Sequence, residues 1–119
     1  MLVKPDGVER GLVDRIDEAF EVMLGVAADA RRTHDADLAT KFAEHYAEHR
    51  GKPFYPGLVS AMSTQGPVVV LHYPSDYIGA GRALMNELRV KHYAREPPNN
   101  TVHCSDSLEA AERERAIWL

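Results

Sequence analysis

Hydrophobic and polar residues follow two patterns along the chain, which together predict helices interleaved with a few short strands. Residues 1–3 form a short apolar strand that ends at a Lys-Pro-Asp-Gly turn signal. The β-branched run at residues 67–73 is typical of a strand in the middle of a sheet, and residues 26–30 form a weaker strand. This layout predicts an α+β fold, with the helices packed on one face of a small sheet.

Helical spacing of the apolar residues predicts where the helices lie. The first helix carries apolar positions 12, 13, 16, 19, 20 and 23 and ends at Gly25. The second begins at Asp35 or Asp37, carries the stripe Leu38, Phe42, His45, Tyr46 and His49, and ends at Gly51. The others are predicted over residues 58–62, from Ser75 or Asp76 to about Glu87, and from Asp106 or Ser107 to about Trp118. Residues 88–100 are predicted to be irregular and are basic.

Composition limits the classes of protein to which the chain can belong. Its 119 residues make one domain, 1–119, and 45% hydrophobic with 27% charged side chains is typical of globular proteins. The net charge of −4 argues against a general nucleic-acid-binding protein. No apolar run approaches the ~20 residues of a membrane span, no secretory signal is visible, and the single cysteine, Cys104, excludes an internal disulfide. We therefore expect a cytoplasmic protein that binds neither membranes nor nucleic acid.

Three features contain residues that could carry chemistry, and each also has a plain structural interpretation. Lys4 follows the first strand, where its ammonium group can face a phosphate, although Lys-Pro-Asp-Gly is also an ordinary turn. Residues 82–95 form either a phosphate-binding surface or a solvated basic face, because they hold Arg82, Arg89, Lys91 and Arg95 against only Glu87. His103 is a candidate nucleophile or general base if Ser105 or Glu114 orients its ring, and otherwise a hydrogen-bonded structural histidine.

A short pattern on the second helix matches a zinc-peptidase signature. His45-Tyr46-Ala47-Glu48-His49 fits H-x-x-E-H, in which two histidines four residues apart share one metal ion. Catalytic zinc also needs a third ligand and a substrate cleft, for which this chain offers little room. Because the histidines share their stripe with Leu38 and Phe42, we interpret it as a partly buried packing face and expect no protein metal site.

A series of motifs runs in order along almost the whole chain. They are Lys4-Pro5-Asp6-Gly7-Val8 with Arg10-Gly11-Leu12-Val13, His45-Tyr46, Lys52-Pro53-Phe54-Tyr55-Pro56-Gly57-Leu58-Val59, Gly66-Pro67-Val68-Val69, Gly81-Arg82, Asn100-x-x-His103-x-Ser105-Asp106-Ser107 and Ala111-x-x-Glu114. In this combination and spacing the chain resembles nucleoside diphosphate kinases. The His-x-Ser-Asp-Ser box and the Lys-Pro-Asp-Gly-Val opening are the most specific parts of that resemblance.

The resemblance implies a fold and a reaction. The fold would be a ferredoxin-like βαββαβ sandwich with a small antiparallel sheet. The reaction would move the γ-phosphoryl group of a nucleoside triphosphate to a nucleoside diphosphate, by a ping-pong route through a phosphohistidine at His103. Glu114 and Ser105 would orient the imidazole ring, and Mg²⁺ would arrive on the phosphates of the nucleotide.

The resemblance also implies the nucleotide-binding residues. Lys4, Tyr46, Arg82 and Arg89 would surround the phosphates, and Lys4 with Asn100 would contact the sugar hydroxyls. Phe54 would stack on the base, with Leu58 lining the same slot. A flat apolar clamp of this kind contacts the face of a base and not its edges, so we expect broad base tolerance.

The chain departs from the family pattern before the histidine box. The loop between Arg82 and the box is shortened to residues 83–99, Leu88 stands where the family has a threonine, and Val90 and Cys104 stand where it has glycines. Arg95 is an alternative to Arg89 as the phosphate ligand of this loop. In the family the loop and a C-terminal tail help to build the oligomer, so we expect a dimer-based homo-oligomer and leave a hexamer open. The alternative function is a catalytically weakened nucleotide-binding or assembly module of the same fold.

Overall fold

The computed structural model describes residues 1–74, 77–92 and 100–119, which contain one four-stranded sheet. Its strands are β1 (Leu2–Val3), β2 (Ala30–His34), β3 (Val68–His72) and β4 (Val102–His103). The helices of the described ranges are α1 (Pro5–Glu9), α2 (Val13–Leu24), α3 (Leu38–His45), α4 (Tyr55–Thr64), α5 (Ile78–Glu87) and α6 (Leu108–Trp118). A 3-10 turn at Ala47–His49 follows α3, and a π-helical turn at Leu88–His92 continues α5.

The strands lie in the order β2-β3-β1-β4, and each neighbouring pair is antiparallel. The chain therefore passes from β1 through α2 to β2 across the intervening β3, and from β3 through α5 to β4 across β1. Two such split β-α-β units make a ferredoxin-like sandwich. The predicted α+β class with a small antiparallel sheet is confirmed. The register places Leu2 opposite both Val70 and His103, so His103 lies on an edge strand beside β1.

Helices cover both faces of the sheet, so the expectation that they pack on one face is wrong. Val69 and Leu71 of β3 belong to a core with α2 and α5, whereas Val68 and Val70 belong to a second core with α3, α4 and α6. All four side chains are buried, as expected for a central strand that is covered on both sides. The first core includes Val3, Ile16, Phe20, Leu84 and Met85, and the second includes Leu2, Phe42, Met62 and Trp118.

The predicted first turn and the predicted second strand both differ from the structure. The residues after β1 form the short helix α1 and not a plain turn, because Pro5 occupies the first helical turn, where a missing N–H costs nothing. The second strand lies at Ala30–His34 and not at residues 26–30. Its exposed Arg31, Arg32 and Thr33 give no hydrophobic signal, and pairing with β3 is what defines it.

Several predicted helix ends agree with the structure, but the second predicted helix does not reach Gly51, because α3 ends at His45 and a 3-10 turn follows it. Gly25 ends α2 with φ 74°, a left-handed conformation that glycine adopts without strain. Ser107 caps α6, since its hydroxyl accepts the N–H of Ala110 at 3.0 Å. Asp37 is the N-cap of α3 but makes no side-chain cap bond.

The remaining predicted boundaries fall on α4, α5 and the basic segment. Helix α4 is longer than the predicted 58–62, and the segment predicted as irregular opens with a π-helical turn. The predicted caps Ser75 and Asp76 lie outside the described residues. In the described part of the chain, no helix combines the length and apolarity that a membrane span requires.

Candidate active site

The Lys-Pro-Asp-Gly segment packs against the residues that lead into β4. Thr101 has φ 74°, a left-handed conformation that costs a β-branched residue about 1–3 kcal/mol. Asp6 holds it there, because Oδ1 accepts the Thr101 N–H at 3.2 Å and Oδ2 accepts the Thr101 hydroxyl at 2.8 Å. A Cβ on Gly7 would lie 2.8 Å from Val3 and 3.0 Å from Thr101, so only glycine allows this approach. The motif thus fixes the backbone that delivers His103.

His103 and Glu114 form the central pair of the site. His103 ends β4, and its Nε2 donates a hydrogen bond of 2.5 Å to Oε1 of Glu114 in α6. Burial lowers the pKa of His103, against the opposing effect of its hydrogen bond to Glu114. Burial acts to raise the pKa of Glu114, but His103, Ser105 and His45 outweigh it and the pKa is about 2. At neutral pH the pair is therefore a neutral imidazole and a carboxylate.

The other ring nitrogen of His103 is the one available to a ligand. Because Nε2 carries the proton that it donates to Glu114, Nδ1 carries the lone pair. Within the described residues no protein group hydrogen-bonds Nδ1, and the side chain is 24% exposed. The structure thus brings the predicted nucleophile together with Glu114, one of its two predicted orienting residues, whereas Ser105 acts on the Glu114 carboxyl group, whose pKa it lowers.

A second histidine, interpreted above as part of a packing face, lies against His103. The two rings meet edge to face with centroids 4.7 Å apart. Nε2 of His45 lies 3.6 Å from Oε1 of Glu114, and Nδ1 accepts the indole N–H of Trp118 at 3.0 Å. Burial lowers the pKa of His45 to about 3, so this histidine is neutral at physiological pH. The signals in the sequence were its place directly before Tyr46 and its part in the H-x-x-E-H pattern.

The structure does not assemble the H-x-x-E-H pattern into a metal site. Nε2 of His49 faces Glu48 at 3.8 Å, whereas His45 faces Glu114. Across residues 1–74, 77–92 and 100–119, the group of side chains that could hold a metal ion is instead His45, His103 and Glu114, whose ligand atoms lie within 4.8 Å of one another.

Lys4 and Asn100, both predicted to contact the sugar hydroxyls, are in direct contact with each other. Nζ of Lys4 donates to Oδ1 of Asn100 at 2.6 Å, and the Lys4 backbone N–H donates to the carbonyl of Thr101 at 2.7 Å. Burial, with the nearby charge of Arg89, lowers the pKa of Lys4 to about 8, although Asp6 opposes the shift. Lys4 is therefore a cation held in a partly desolvated place, where an anion would bind it strongly.

Arg82 and Arg89 bind the backbone on the two sides of His103. Nη1 of Arg82 donates to the Cys104 carbonyl at 2.8 Å. Nε and Nη2 of Arg89 donate to the Val102 carbonyl at 2.9 and 2.5 Å. Since each guanidinium carries five N–H bonds, both keep donors that an anion can accept. The two arginines among the predicted phosphate ligands therefore flank the nucleophile.

The residues around Arg89 explain part of the departure from the family pattern. Leu88 is 5% exposed and packs in the first core, so it cannot offer the contact expected of the threonine it replaces. Val90 points to solvent at 75% exposure. Arg95, the alternative to Arg89, lies outside the described residues.

A line of aromatic rings leads from the second core to the surface. Phe42 stacks on Tyr46 with centroids 5.9 Å apart, Tyr46 contacts His49 at 6.3 Å, and His49 contacts Phe54 at 5.3 Å. Phe54 is 53% exposed, with the Lys52 ammonium group over its ring at 5.8 Å from the centroid, and Leu58 packs partly buried at the edge of the same core. Burial raises the pKa of Tyr46 to about 12, so its hydroxyl remains a hydrogen-bond donor.

Comparison with known sequences gives one family over the entire chain. The family model described as "Nucleoside diphosphate kinase" matches residues 1–119. The nucleoside diphosphate kinase of Rhodococcus opacus is 44% identical over 132 residues, which cover 100% of this chain and 91% of that relative.

Solved structures give the same result. A nucleoside diphosphate kinase family protein from Babesia bovis superposes with a TM-score of 0.84 at 33% identity, over 99% of this chain and 84% of that one. The Halobacterium salinarum nucleoside diphosphate kinase, solved in complex with CDP, also gives 0.84, at 31% identity and the same coverage. Sequence and structure agree over the full length, and the chain belongs to the nucleoside diphosphate kinase family.

Proposed function

We propose that this phosphotransferase carries the γ-phosphoryl group on Nδ1 of His103 while one nucleotide leaves and another binds. The observation that supports the proposal is the hydrogen bond from His103 Nε2 to Glu114, which leaves the lone pair on Nδ1. A neutral imidazole needs no base to become a nucleophile. Lowering of the pKa of His103 by burial keeps it in that state.

The first half-reaction forms an N–P bond and breaks a P–O bond. The Nδ1 lone pair attacks the γ-phosphorus of a nucleoside triphosphate in line with the β–γ bridging oxygen, which leaves with the diphosphate. Positive charge develops on the ring, and the carboxylate of Glu114 stabilises it through Nε2–H. In the second half-reaction a terminal oxygen of an acceptor diphosphate attacks the phosphorus, the N–P bond breaks, and neutral His103 is restored.

Three cations compensate the phosphate charge in this proposal. Lys4 lies beside the backbone that leads into β4, and Arg82 and Arg89 are anchored on either side of His103. Phosphoryl transfer asks a protein mainly for this kind of positioning and charge stabilisation. Mg²⁺ would enter as part of the substrate nucleotide and would neutralise part of the phosphate charge. Both carboxylate oxygens of Asp6 and Oε1 of Glu114 already accept hydrogen bonds within the protein, which leaves most of the oxygen ligands to the nucleotide.

The nucleoside would lie along the aromatic line. Phe54, which is 53% exposed, would stack on the base with Leu58 beside it, and Tyr46, whose hydroxyl keeps its proton, would donate to the phosphates. Asn100 and Lys4 would hydrogen-bond the sugar hydroxyls. Stacking does not distinguish the edges of the bases, which supports exchange among different nucleosides.

Labelling by [γ-³²P]ATP with Mg²⁺ tests the proposal directly. Wild-type protein should take up an acid-labile label and release it on addition of a nucleoside diphosphate, and His103→Gln should abolish the label. His72→Gln is the matched control, because His72 also ends a strand but is bonded to Asp29. An unlabelled wild type, or a labelled His103→Gln variant, would contradict the proposal.

A catalytically weakened nucleotide-binding module remains a second candidate, and one observation favours it. Leu88 is buried where the resemblance calls for a threonine at the phosphates. This candidate predicts that labelled ADP binds in equilibrium dialysis while the phosphohistidine forms slowly or not at all.

We also propose that the chain forms a dimer-based homo-oligomer in the cytoplasm. Support for self-association comes from α2, whose end exposes Val22 at 73% and Met23 at 64% just before the edge strand β2. Exposed apolar side chains next to an open strand edge are typical of surfaces that associate.

A further inference from the structure

We infer that Trp118 fixes the tautomer of His45, and that His45 in this form is a positioning residue for the His103–Glu114 pair and not a metal ligand. The inference rests on the proposed function of His103. The contact between Trp118 and His45 lies behind the reacting atoms, and neither residue has a role in the proposed nucleotide contacts.

The tautomer follows from the chemistry of the indole group. An indole N–H can only donate, so Nδ1 of His45, 3.0 Å from Nε1 of Trp118, must accept. A neutral imidazole carries one proton, which therefore lies on Nε2. Both residues are buried, with exposures of 2% for Trp118 and 4% for His45. The opposite tautomer would set two N–H groups against each other in the interior, where unsatisfied donors are costly.

The Nε2–H of His45 points toward Glu114. Its distance to Oε1 is 3.6 Å, which is an electrostatic contact and longer than a hydrogen bond. Oε1 thus lies between two N–H groups, that of His103 at 2.5 Å and that of His45. Both histidines thus act on the same oxygen, which favours its alignment with the Nε2–H of His103, whereas Oε2 is buried without a hydrogen-bond partner among the described residues.

Packing adds a second constraint on the nucleophile. The His45 ring stands edge to face against that of His103, at 4.7 Å between centroids and an angle of 76°, and so limits rotation of the nucleophilic ring. Arg113 ties α6 to the end of α3 by donating to the carbonyls of Glu44 and His45 at 3.1 and 3.3 Å. These bonds therefore fix the position of Glu114 relative to both histidines.

The same tautomer disfavours metal binding by the group His45, His103 and Glu114. His45, His103 and Glu114 have the two-histidine, one-carboxylate composition of many catalytic zinc sites, with ligand atoms within 4.8 Å of one another. A metal ion would need a lone pair on Nε2 of His45, and that position carries the proton. Removing the indole donor frees His45 to move its proton to Nδ1 and to present the lone pair to the cluster.

Nitrogen-15 NMR of the histidine rings in the wild-type protein tests the tautomer. Long-range ¹H–¹⁵N spectra should show His45 protonated on Nε2. In Trp118→Phe the spectra should no longer show this tautomer alone. A wild-type His45 protonated on Nδ1 would overturn the inference. This measurement does not require phosphoryl transfer, so it stands apart from a failure of the proposed function.

Two substitutions of His45 separate its donor from its packing. His45→Gln keeps an N–H near the Nε2 position, and His45→Phe keeps a ring without a donor. In single-turnover labelling by [γ-³²P]ATP, the Phe variant should phosphorylate about tenfold more slowly with an unchanged nucleotide KM, and the Gln variant should stay within about threefold of wild type. Equal rates in the two variants, fast or slow, would overturn the positioning role.

Zinc sensitivity tests the exclusion of metal. Zn²⁺ should inhibit labelling of Trp118→Phe at a concentration at least about tenfold lower than it requires for wild type, and adding His45→Phe should remove that gain. Equal sensitivity of Trp118→Phe and wild type would overturn this part. If Trp118→Phe fails to fold, as thermal unfolding would reveal, the wild-type spectrum and the two His45 variants still decide the inference.

Discussion

At the scale of single residues, neighbouring groups set the protonation state of each reactive side chain. The hydrogen bond to Glu114 decides which nitrogen of His103 carries the lone pair. Burial keeps His45 uncharged and brings the pKa of Lys4 to about 8. The site therefore has pH dependences that can be measured separately for binding and for stability.

Lys4 should give nucleotide binding an upper pH limit. Its pKa of about 8 means that the free protein loses this positive charge as the pH rises through that value, so kcat/KM should fall. Initial rates from roughly pH 6.5 to 9.5 would measure the decline. Lys4→Arg keeps the charge at all these pH values and should lack the decline, whatever its absolute rate. A flat wild-type profile would exclude this role for Lys4.

His45 should make the folded protein less stable as the pH falls. Its pKa is 6.5 in the unfolded chain and about 3 in the fold, so between these values the unfolded chain binds an additional proton. The free energy of unfolding then decreases toward acid, by up to about 1.4 kcal/mol per pH unit. Urea unfolding at a series of pH values should show a shallower slope for His45→Gln than for wild type. Parallel slopes would contradict the assignment.

Much of the site at this scale could be predicted from the sequence, but its supporting contacts could not. The motifs identified His103, Lys4 and Glu114, and the structure places these groups at one end of the sheet. His45 was interpreted as a packing residue, because a helical stripe shows that a side chain is buried but not which distant strand it meets. The two hydrogen bonds from Thr101 to Asp6 likewise depend on tertiary contact.

At the scale of elements, the short strand β4 depends on its neighbours for its position. It has two residues. Arg89 binds the carbonyl of Val102 within the strand, and Arg82 binds the carbonyl of Cys104 just after it. Helix α1 packs against the backbone at Thr101, directly before β4. This helix was predicted as a turn, since Pro and Gly are common in both settings, and β2 was misplaced because an exposed strand edge carries little hydrophobic pattern.

Gly7→Ala tests how closely α1 must approach β4. The added Cβ would meet Val3 at 2.8 Å and Thr101 at 3.0 Å, so we expect about 1–3 kcal/mol of destabilisation in chemical unfolding. Gly57→Ala is the matched control, because it lies within α4 with no atom within 4 Å of its Cβ. It should be neutral or stabilising by about 0.5–1 kcal/mol. Equal effects of the two substitutions would contradict the steric argument.

At the scale of the whole molecule, the strand order places the candidate active site and the proposed self-association surface at opposite edges of the sheet. One edge, β4, carries His103, whereas the opposite edge, β2, is polar and exposed. Central β3 is buried on both faces, which holds the two edges in a fixed relation. The proposed self-association can therefore use the β2 side without covering the candidate active site.

Val22→Asp should weaken self-association. Val22 is 73% exposed near the β2 edge, and a charge there would oppose burial in a contact between copies. Sedimentation velocity should show a shift toward a smaller species. Val90→Asp provides the control, since Val90 is equally exposed, at 75%, but follows α5. A similar shift in both variants, or in neither, would place the contact elsewhere.

The bond between Trp118 and His45 gives the protein an internal optical reporter. Trp118 is the only tryptophan in the chain, and its indole is one histidine ring away from His103. Tryptophan emission responds to the charge and polarity of adjacent groups. Phosphorylation and dephosphorylation of His103 would thus each alter the fluorescence of the unlabelled protein. A stopped-flow trace could therefore follow the two half-reactions in real time.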